Sequence, residues 1–193
     1  MHASMFGKRD LTALIERAKR ALKAEEDRLT KCITTNQWKF PGRTGLCCNL
    51  DERFLQFLIW RELMSSFRWR PQTESQDRSD LAFYDNVTDK VVARAEIEGW
   101  WSDDGLSEIP GIRMDMAKLR IKSPGIPGVM LILTTYLKSD GGGFDTLAEK
   151  LGIALEDMEI CSFDNSDSTP GSEPWEFSVV GFFANRAEQG ASV

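Results

Sequence analysis

Three carboxylates in this chain are spaced to do chemistry together. Asp80 opens the apolar run Asp80-Leu81-Ala82-Phe83-Tyr84-Asp85. A turn follows at Asn86-Val87-Thr88-Asp89, and the chain returns through Val91-Val92-Ala93-Arg94-Ala95-Glu96-Ile97-Glu98. Side chains alternate across a strand, so Glu96 and Glu98 point the same way. A three-residue turn sets Asp80 opposite Arg94; a shift of one residue on each strand sets it opposite Glu96. In both registers Asp80 shares the face of Glu96 and Glu98. Like charges on one sheet face repel unless something positive sits among them. Oxygen donors of this kind suit a hard divalent cation.

The rest of the composition narrows what else the chain can do. Its only histidine is His2, and its four cysteines, Cys32, Cys47, Cys48 and Cys161, form no C-x-x-C pair. A structural zinc site and a histidine-based triad are therefore not expected. Proton transfer falls to carboxylates, Lys, Tyr or water. No small-molecule cofactor is indicated. The longest apolar run, Gly128 to Tyr136, is too short to span a bilayer. The first nine residues contain no apolar signal core. A cytoplasmic protein with reduced cysteines is the expectation.

The net charge of −6 is unevenly spread. Residues 1–139 carry 22 Lys and Arg against 19 Asp and Glu, whereas residues 140–176 carry one basic residue against ten acidic ones. The first part therefore remains compatible with an anionic ligand. Non-specific coating of nucleic acid is disfavoured.

The elements that must position the carboxylates follow from periodicity and punctuation. Asp10 is expected to cap a helix from Leu11 to about Leu29, with an apolar stripe of Leu11, Leu14, Ile15, Ala18, Leu22 and Leu29. Core packing is the first reading of this helix; a dimerising or partner-binding helix, giving a homodimer, is the second. Trp38 to Gly42 reads as a short strand and turn. Asp51 caps a helix from Glu52 to Phe67 that is apolar almost all round and so is expected to be buried on several sides. Arg68 to Glu74 reads as a strand made irregular, or an edge, by Pro71. The hairpin strands 80–85 and 91–98 come next, then a loop from Gly99 to Pro110. Ile112 to Lys122 has helical spacing, stopped by Ser123-Pro124-Gly125. Val129 to Tyr136 reads as a strand buried on both faces, parallel to the second hairpin strand across a right-handed crossover. Asp140 to Gly143 reads as a hinge, Phe144 to Leu151 as a short helix, Glu156 to Glu173 as an acidic solvated stretch, and Trp175 to Phe183 as a late strand. The last ten residues are expected to fray.

Taken in order, the elements from Glu52 to Tyr136 run helix, strand, strand, strand, helix, strand. With Asp80 at the start of the second strand and Glu96-Ile97-Glu98 near the end of the third, the chain resembles the restriction-endonuclease-like, or PD-(D/E)xK, nuclease superfamily. The resemblance covers roughly residues 50–136. It implies an α/β (α+β) fold with a mixed sheet, divided into an N-terminal helix and connecting segment (1–49), a nuclease-like core (50–136) and an acidic C-terminal extension packed on the same domain (137–193). Ser79 stands where the family's proline precedes the first acid, and Glu98 stands where its lysine would be. Members with E-x-E exist, and some take the lysine from the following helix, where Lys118 and Arg113 lie.

The resemblance also implies a role for each residue. Asp80 and Glu96 would bind Mg²⁺ or Mn²⁺, with the Ile97 carbonyl as a third ligand and Glu52, early in the first core helix, as a further acid. Glu98 would take a proton from water or hold a second metal, and Lys118 would neutralise charge on the phosphate. The implied activity is Mg-dependent phosphodiester hydrolysis on DNA or RNA. The alternative is a catalytically inactive nuclease-like fold serving as a protein- or nucleic-acid-binding module. Four smaller readings remain. Glu96 and Glu98 can instead line a solvated face with Arg94 pairing Asp80. Asp115 and Lys118 can form a local i,i+3 pair. Trp100 and Trp101 can straddle the core and its rim or stack on a base. Glu74 and Asp77 can extend the acidic site.

Overall fold

The computed structural model describes residues 5–36, 51–73, 79–101, 106–165 and 175–185. Six strands form one mixed sheet: β1 (Arg70–Gln72), β2 (Leu81–Tyr84), β3 (Val91–Trp100), β4 (Gly128–Leu137), β5 (Glu159–Asn165) and β6 (Trp175–Phe183). Their spatial order is β1-β2-β3-β4-β6-β5. Only β3 and β4 are parallel; every other neighbouring pair is antiparallel. Among the described residues four α-helices cover the sheet: α1 (Lys8–Asn36), α2 (Glu52–Ser66), α3 (Ile109–Lys122) and α4 (Phe144–Leu151).

The helices divide between the two faces. Leu11, Leu14, Ile15 and Leu22 of α1, and Leu55, Leu58, Ile59 and Leu63 of α2, share a core with Phe83, Ala95, Ile97, Leu131 and Val179. Ile112, Met116 and Leu119 of α3, and Leu147 and Leu151 of α4, pack with Met130, Ile132, Val180 and Phe182 on the opposite face. Residues 131, 132 and 133 therefore alternate between two buried faces. This explains the unbroken apolar run of β4 and its central position. Gly181 lets α1 lie directly on β6: a Cβ there would stand 2.5 Å from Ile15 Cδ1.

Several boundaries differ from the sequence expectation, each for a physical reason. Asp10 lies inside the first turn of α1, and its carboxylate accepts the Gly7 N–H at 2.9 Å, the reach-back half of a capping box. The helix then runs on to Asn36. Each further residue of a formed helix adds a hydrogen bond, which outweighs the weak propensities of Thr30 and Ile33. Helix α3 starts at Ile109, because Pro110 occupies the first turn, where its missing N–H costs nothing. Asp51 caps α2 as expected, accepting the Phe54 N–H at 2.8 Å. That helix is buried on one side rather than several: Leu55, Leu58, Ile59 and Leu63 are buried, whereas Phe54, Phe57 and Met64 are exposed.

Strand β1 is shorter than expected and lies at the sheet edge with Pro71 at its centre. The segment Lys138–Gly143, read as a hinge, forms 3₁₀ turns broken by a kink, with Gly141, Gly142 and Gly143 at positive φ. The acidic stretch after Glu156 contains β5, whose Phe163 stacks on Phe177 at 5.3 Å between ring centroids. Of the tail expected to fray, Ala184 and Asn185 are held: Asn185 Oδ1 accepts the Gly128 N–H, and its Nδ2 donates to the Ile126 carbonyl. The expected strand at 38–42 and Cys47, Cys48, Glu74, Asp77 and residues 186–193 lie outside the described residues. No helix among the described residues is long and apolar enough to cross a membrane.

Phe83 is fully buried, with Phe6 and Phe67 each 5.5 Å away between ring centroids. Phe83→Ala should lower the stability measured by urea titration by about 3–5 kcal/mol. A loss below ~1 kcal/mol would mean that Phe6 and α1 are not fixed on the sheet in this way.

Candidate active site

The hairpin register decides which residues meet. Leu81 pairs with Ala95, Ala82 with Arg94 and Phe83 with Ala93, but Tyr84 pairs with Val91. The extra residue, Val92, is a β-bulge next to the turn. Without it, Asp80 would fall on the opposite face from Glu96. With it, Asp80 lies beside Glu96, the second of the two registers expected from the sequence.

Strand β3 is longer than β2 and continues beyond the start of its partner. On β3, alternate residues turn their backbone groups to β4 and to β2; Arg94, which donates to the Pro127 carbonyl, faces β4. Ile97 and Gly99 face the other way, where β2 no longer reaches. Side chains serve them instead. The Ile97 N–H donates to Asp80 Oδ2 at 2.7 Å, and the Ile97 carbonyl accepts from Gln56 Nε2 at 3.2 Å. The Gly99 N–H donates to Glu52 Oε2 at 3.1 Å. Gln56 also donates to Glu52 Oε1, one helical turn back, at 3.2 Å. So α2 and the start of β2 close the exposed edge of β3 with two carboxylates and an amide.

Helix α3 brings the only lysine among these groups. Lys118 Nζ lies 2.7 Å from Glu96 Oε1 and 3.1 Å from Asp115 Oδ1. Glu96 is 2% exposed and Asp115 8%, so this is a largely dry arrangement. The local Asp115–Lys118 pair expected from the sequence is present, but it also faces the β3 carboxylates. The Asp115 carboxyl lies close enough to Glu98 to favour its protonated form. Arg113, the other cation considered on this helix, turns away; its Nε donates to the Lys150 carbonyl at 3.0 Å.

These surroundings change the protonation of the site. Burial pushes Glu96 up to about 7, a rise that the Lys118 hydrogen bond opposes and the nearby Asp80 charge assists. Burial, the neighbouring Asp115 carboxyl and the Glu52 charge push Glu98 up to about 8. Asp80 and Glu52 also rise above their ordinary values, chiefly through burial, although the backbone N–H each accepts pulls the other way. Burial alone would lower Lys118; its hydrogen bonds to Glu96 and Asp115 outweigh that and raise it. One cation is set among several carboxylates, and burial with mutual repulsion raises the proton affinity of Glu52, Asp80, Glu96 and Glu98.

The structure thus gathers Asp80, Glu96, Ile97, Glu98, Glu52 and Lys118 at one end of β3. Sequence reasoning overlooked Gln56. Its signal was the i,i+4 spacing from Glu52, which sets both on one helix face. Among the described residues, no three Asp, Glu, Cys or His side chains are placed to hold a metal ion as they stand. The immediate reason is visible in the hydrogen bonds: Asp80 and Glu52 face backbone amides and Glu96 faces Lys118. Trp100 is buried and Trp101 half-exposed at the sheet end, the straddling arrangement of the two sequence readings. Comparison of the chain with protein-family models, curated proteins and solved structures finds no match.

The raised carboxylates fix the sign of a pH effect. The folded protein holds protons on Glu96 and Glu98 that the unfolded chain releases above about 4.5. Stability therefore falls as pH rises. In metal-free buffer, the urea midpoint should drop between pH 5 and about 8, and Glu98→Gln should flatten that slope. A midpoint that rises across this window would show that the carboxylates are not buried as described.

Proposed function

We propose that the chain is a metal-dependent phosphodiesterase of the PD-(D/E)xK type, acting on nucleic acid. The single observation that carries the reading is Lys118 Nζ at 2.7 Å from Glu96. The tripeptide ends in glutamate where a lysine is expected, and the crossover helix supplies the cation at the same carboxylate. The element order from α2 to β4, with β3 and β4 parallel, also supports it.

The donor set fits a hard divalent cation in kind. Its members are all oxygen, they crowd negative charge, and their raised affinity for protons is also an affinity for metal. Asp80, Glu96 and the Ile97 carbonyl would hold Mg²⁺ or Mn²⁺, with Glu52 behind them. Bound there, such an ion polarises a phosphodiester and acidifies water. The chain's own residues do the rest. Gln56 and the β3 amides orient Glu52 and Asp80. Glu98, protonated near neutral pH, exchanges a proton with water or with Asp115. Lys118 offers positive charge to the phosphate oxygens once it parts from Glu96.

A second reading, a catalytically inactive nuclease-like fold acting as a binding module, is favoured by one observation. Asp80 and Glu52 already satisfy backbone amides and so have a structural reason to exist. Asp80→Asn separates the two, because the amide oxygen can still accept the Ile97 N–H while the charge is lost. On the hydrolytic reading the parent binds Mn²⁺ saturably in a calorimeter and cleaves a labelled oligonucleotide. Asp80→Asn then loses metal binding and at least roughly a hundredfold in cleavage, with its melting temperature preserved. Cleavage that is absent in the parent, or indifferent to Asp80→Asn, decides for the inert reading.

A further inference from the structure

Lys118 is held in the cluster by carboxylates alone. Asp80, Glu52 and Gln56 are tied to backbone groups of β3. Glu96 has no such tie: among the described residues its partner is Lys118 Nζ. The two contacts of Lys118 differ in kind. Asp115 lies on the same helix, three residues back, and moves with the lysine. Glu96 lies on β3, so that contact crosses from helix to sheet. The lysine stem is a flexible four-carbon chain ending in a compact charge. Its side chain is 25% exposed against 3% for Glu96, so the ammonium has solvent to turn into.

The ammonium also acts where a metal ion would. Burial favours the protonated forms of Glu96 and Asp80, and the Lys118 charge works against that in both. These are the two acids assigned to a divalent cation under the hydrolytic reading. A single positive charge thus stands among oxygen donors that suit a double one. Two cations sharing one carboxylate in a dry place repel each other strongly. Lys118 and a divalent ion are therefore competitors for Glu96.

We propose that Lys118 is the resident cation of the cluster: it occupies Glu96 until a divalent ion arrives, then turns about its Asp115 contact toward solvent, where a substrate phosphate meets it. The inference rests on the hydrolytic reading for the second cation and adds an order to it, metal first and phosphate second. Asp115 is a positioning residue in this exchange, because it keeps the released ammonium at the site. Before the exchange the lysine charge is engaged by two carboxylates, and the site has little attraction for phosphate. After it, one of those carboxylates is withdrawn and the charge faces outward.

The test needs neither substrate nor turnover. A site filled by its own lysine about nine-tenths of the time binds metal roughly tenfold more weakly than the vacated site. In a calorimeter, Lys118→Met should therefore bind Mn²⁺ about tenfold or more tightly than the parent. Arg113→Gln removes a charge from the same helix at a side chain that bonds the Lys150 carbonyl, and it should bind as the parent does. In the parent itself, acetylation by an N-hydroxysuccinimide ester, read by mass spectrometry, should be slow at Lys118 in EDTA. Saturating Mn²⁺ should speed it roughly fivefold or more as the amine is released. The half-exposed Lys8 and Lys23 should react alike in both conditions. Mn²⁺ binding by Lys118→Met alone would support the exchange, with the lysine as the stronger occupant. Lys118→Met binding no more tightly than the parent or than Arg113→Gln overturns it, as does unchanged Lys118 acetylation while Mn²⁺ saturates the parent. Those results leave an Asp80-dependent metal site standing, whereas Mn²⁺ binding by neither parent nor Lys118→Met removes the exchange and the hydrolytic reading together.

Discussion

The structure depends on how β3 is finished where β2 stops. A buried strand edge must have its N–H and C=O groups paired, since each one left without a partner costs about 1–3 kcal/mol. Ile97 and Gly99 sit beyond the reach of β2, and the chain closes them with Asp80, Gln56 and Glu52. Glu52 and Gln56, one turn apart at the start of α2, supply two of the three, so the placement of α2 fixes how the edge is closed. α2 in turn is fixed by the core it shares with α1 and the hairpin.

Closing the edge with carboxylates concentrates negative charge in a dry place. Glu96 and Glu98 come from β3 itself and Asp115 from the crossover helix, all near Asp80 and Glu52. Lys118 sets one positive charge among them, and Glu96 and Glu98 are pushed up to about 7 and about 8. Amide side chains would satisfy the same backbone groups without that penalty, and Gln56 shows that an amide serves at this edge. An arrangement that destabilises itself as pH rises gains by taking up a cation.

Much of this was legible in the sequence because it is local. Asp51 before an apolar run, Pro71 in a short strand, the apolar alternation of the hairpin and the β-branched run of β4 each act over a few residues. Phe144 to Leu151 and Trp175 to Phe183 were read at the boundaries observed. What escaped is set by distant partners. β5 reads as a solvated acidic stretch because its acids, such as Glu159 and Asp164, suit an exposed edge strand, and only pairing with β6 makes it one. The turn length left two registers open in the sequence until the bulge at Val92 chose between them, and the inward turn of Asp115 has no local mark. The faces of α2 were misjudged for a related reason: apolar composition does not say which side a neighbour covers.

The structural role of Asp80 and Glu52 does not compete with the chemical role proposed for them. A carboxylate offers about four acceptor positions on two oxygens. Accepting the Ile97 N–H through Oδ2 fixes the Asp80 group in place without using it up. Sites that act on charge need donors held still before a ligand arrives, by groups that are themselves held. Here β3 amides hold Asp80 and Glu52, Gln56 ties Glu52 to the Ile97 carbonyl, and Asp115 holds the lysine that faces Glu96. A purely structural closure needs the first two contacts. Closing the edge does not call for Glu98 and Asp115 beside a single lysine, and that surplus of acid is what the proposed function accounts for.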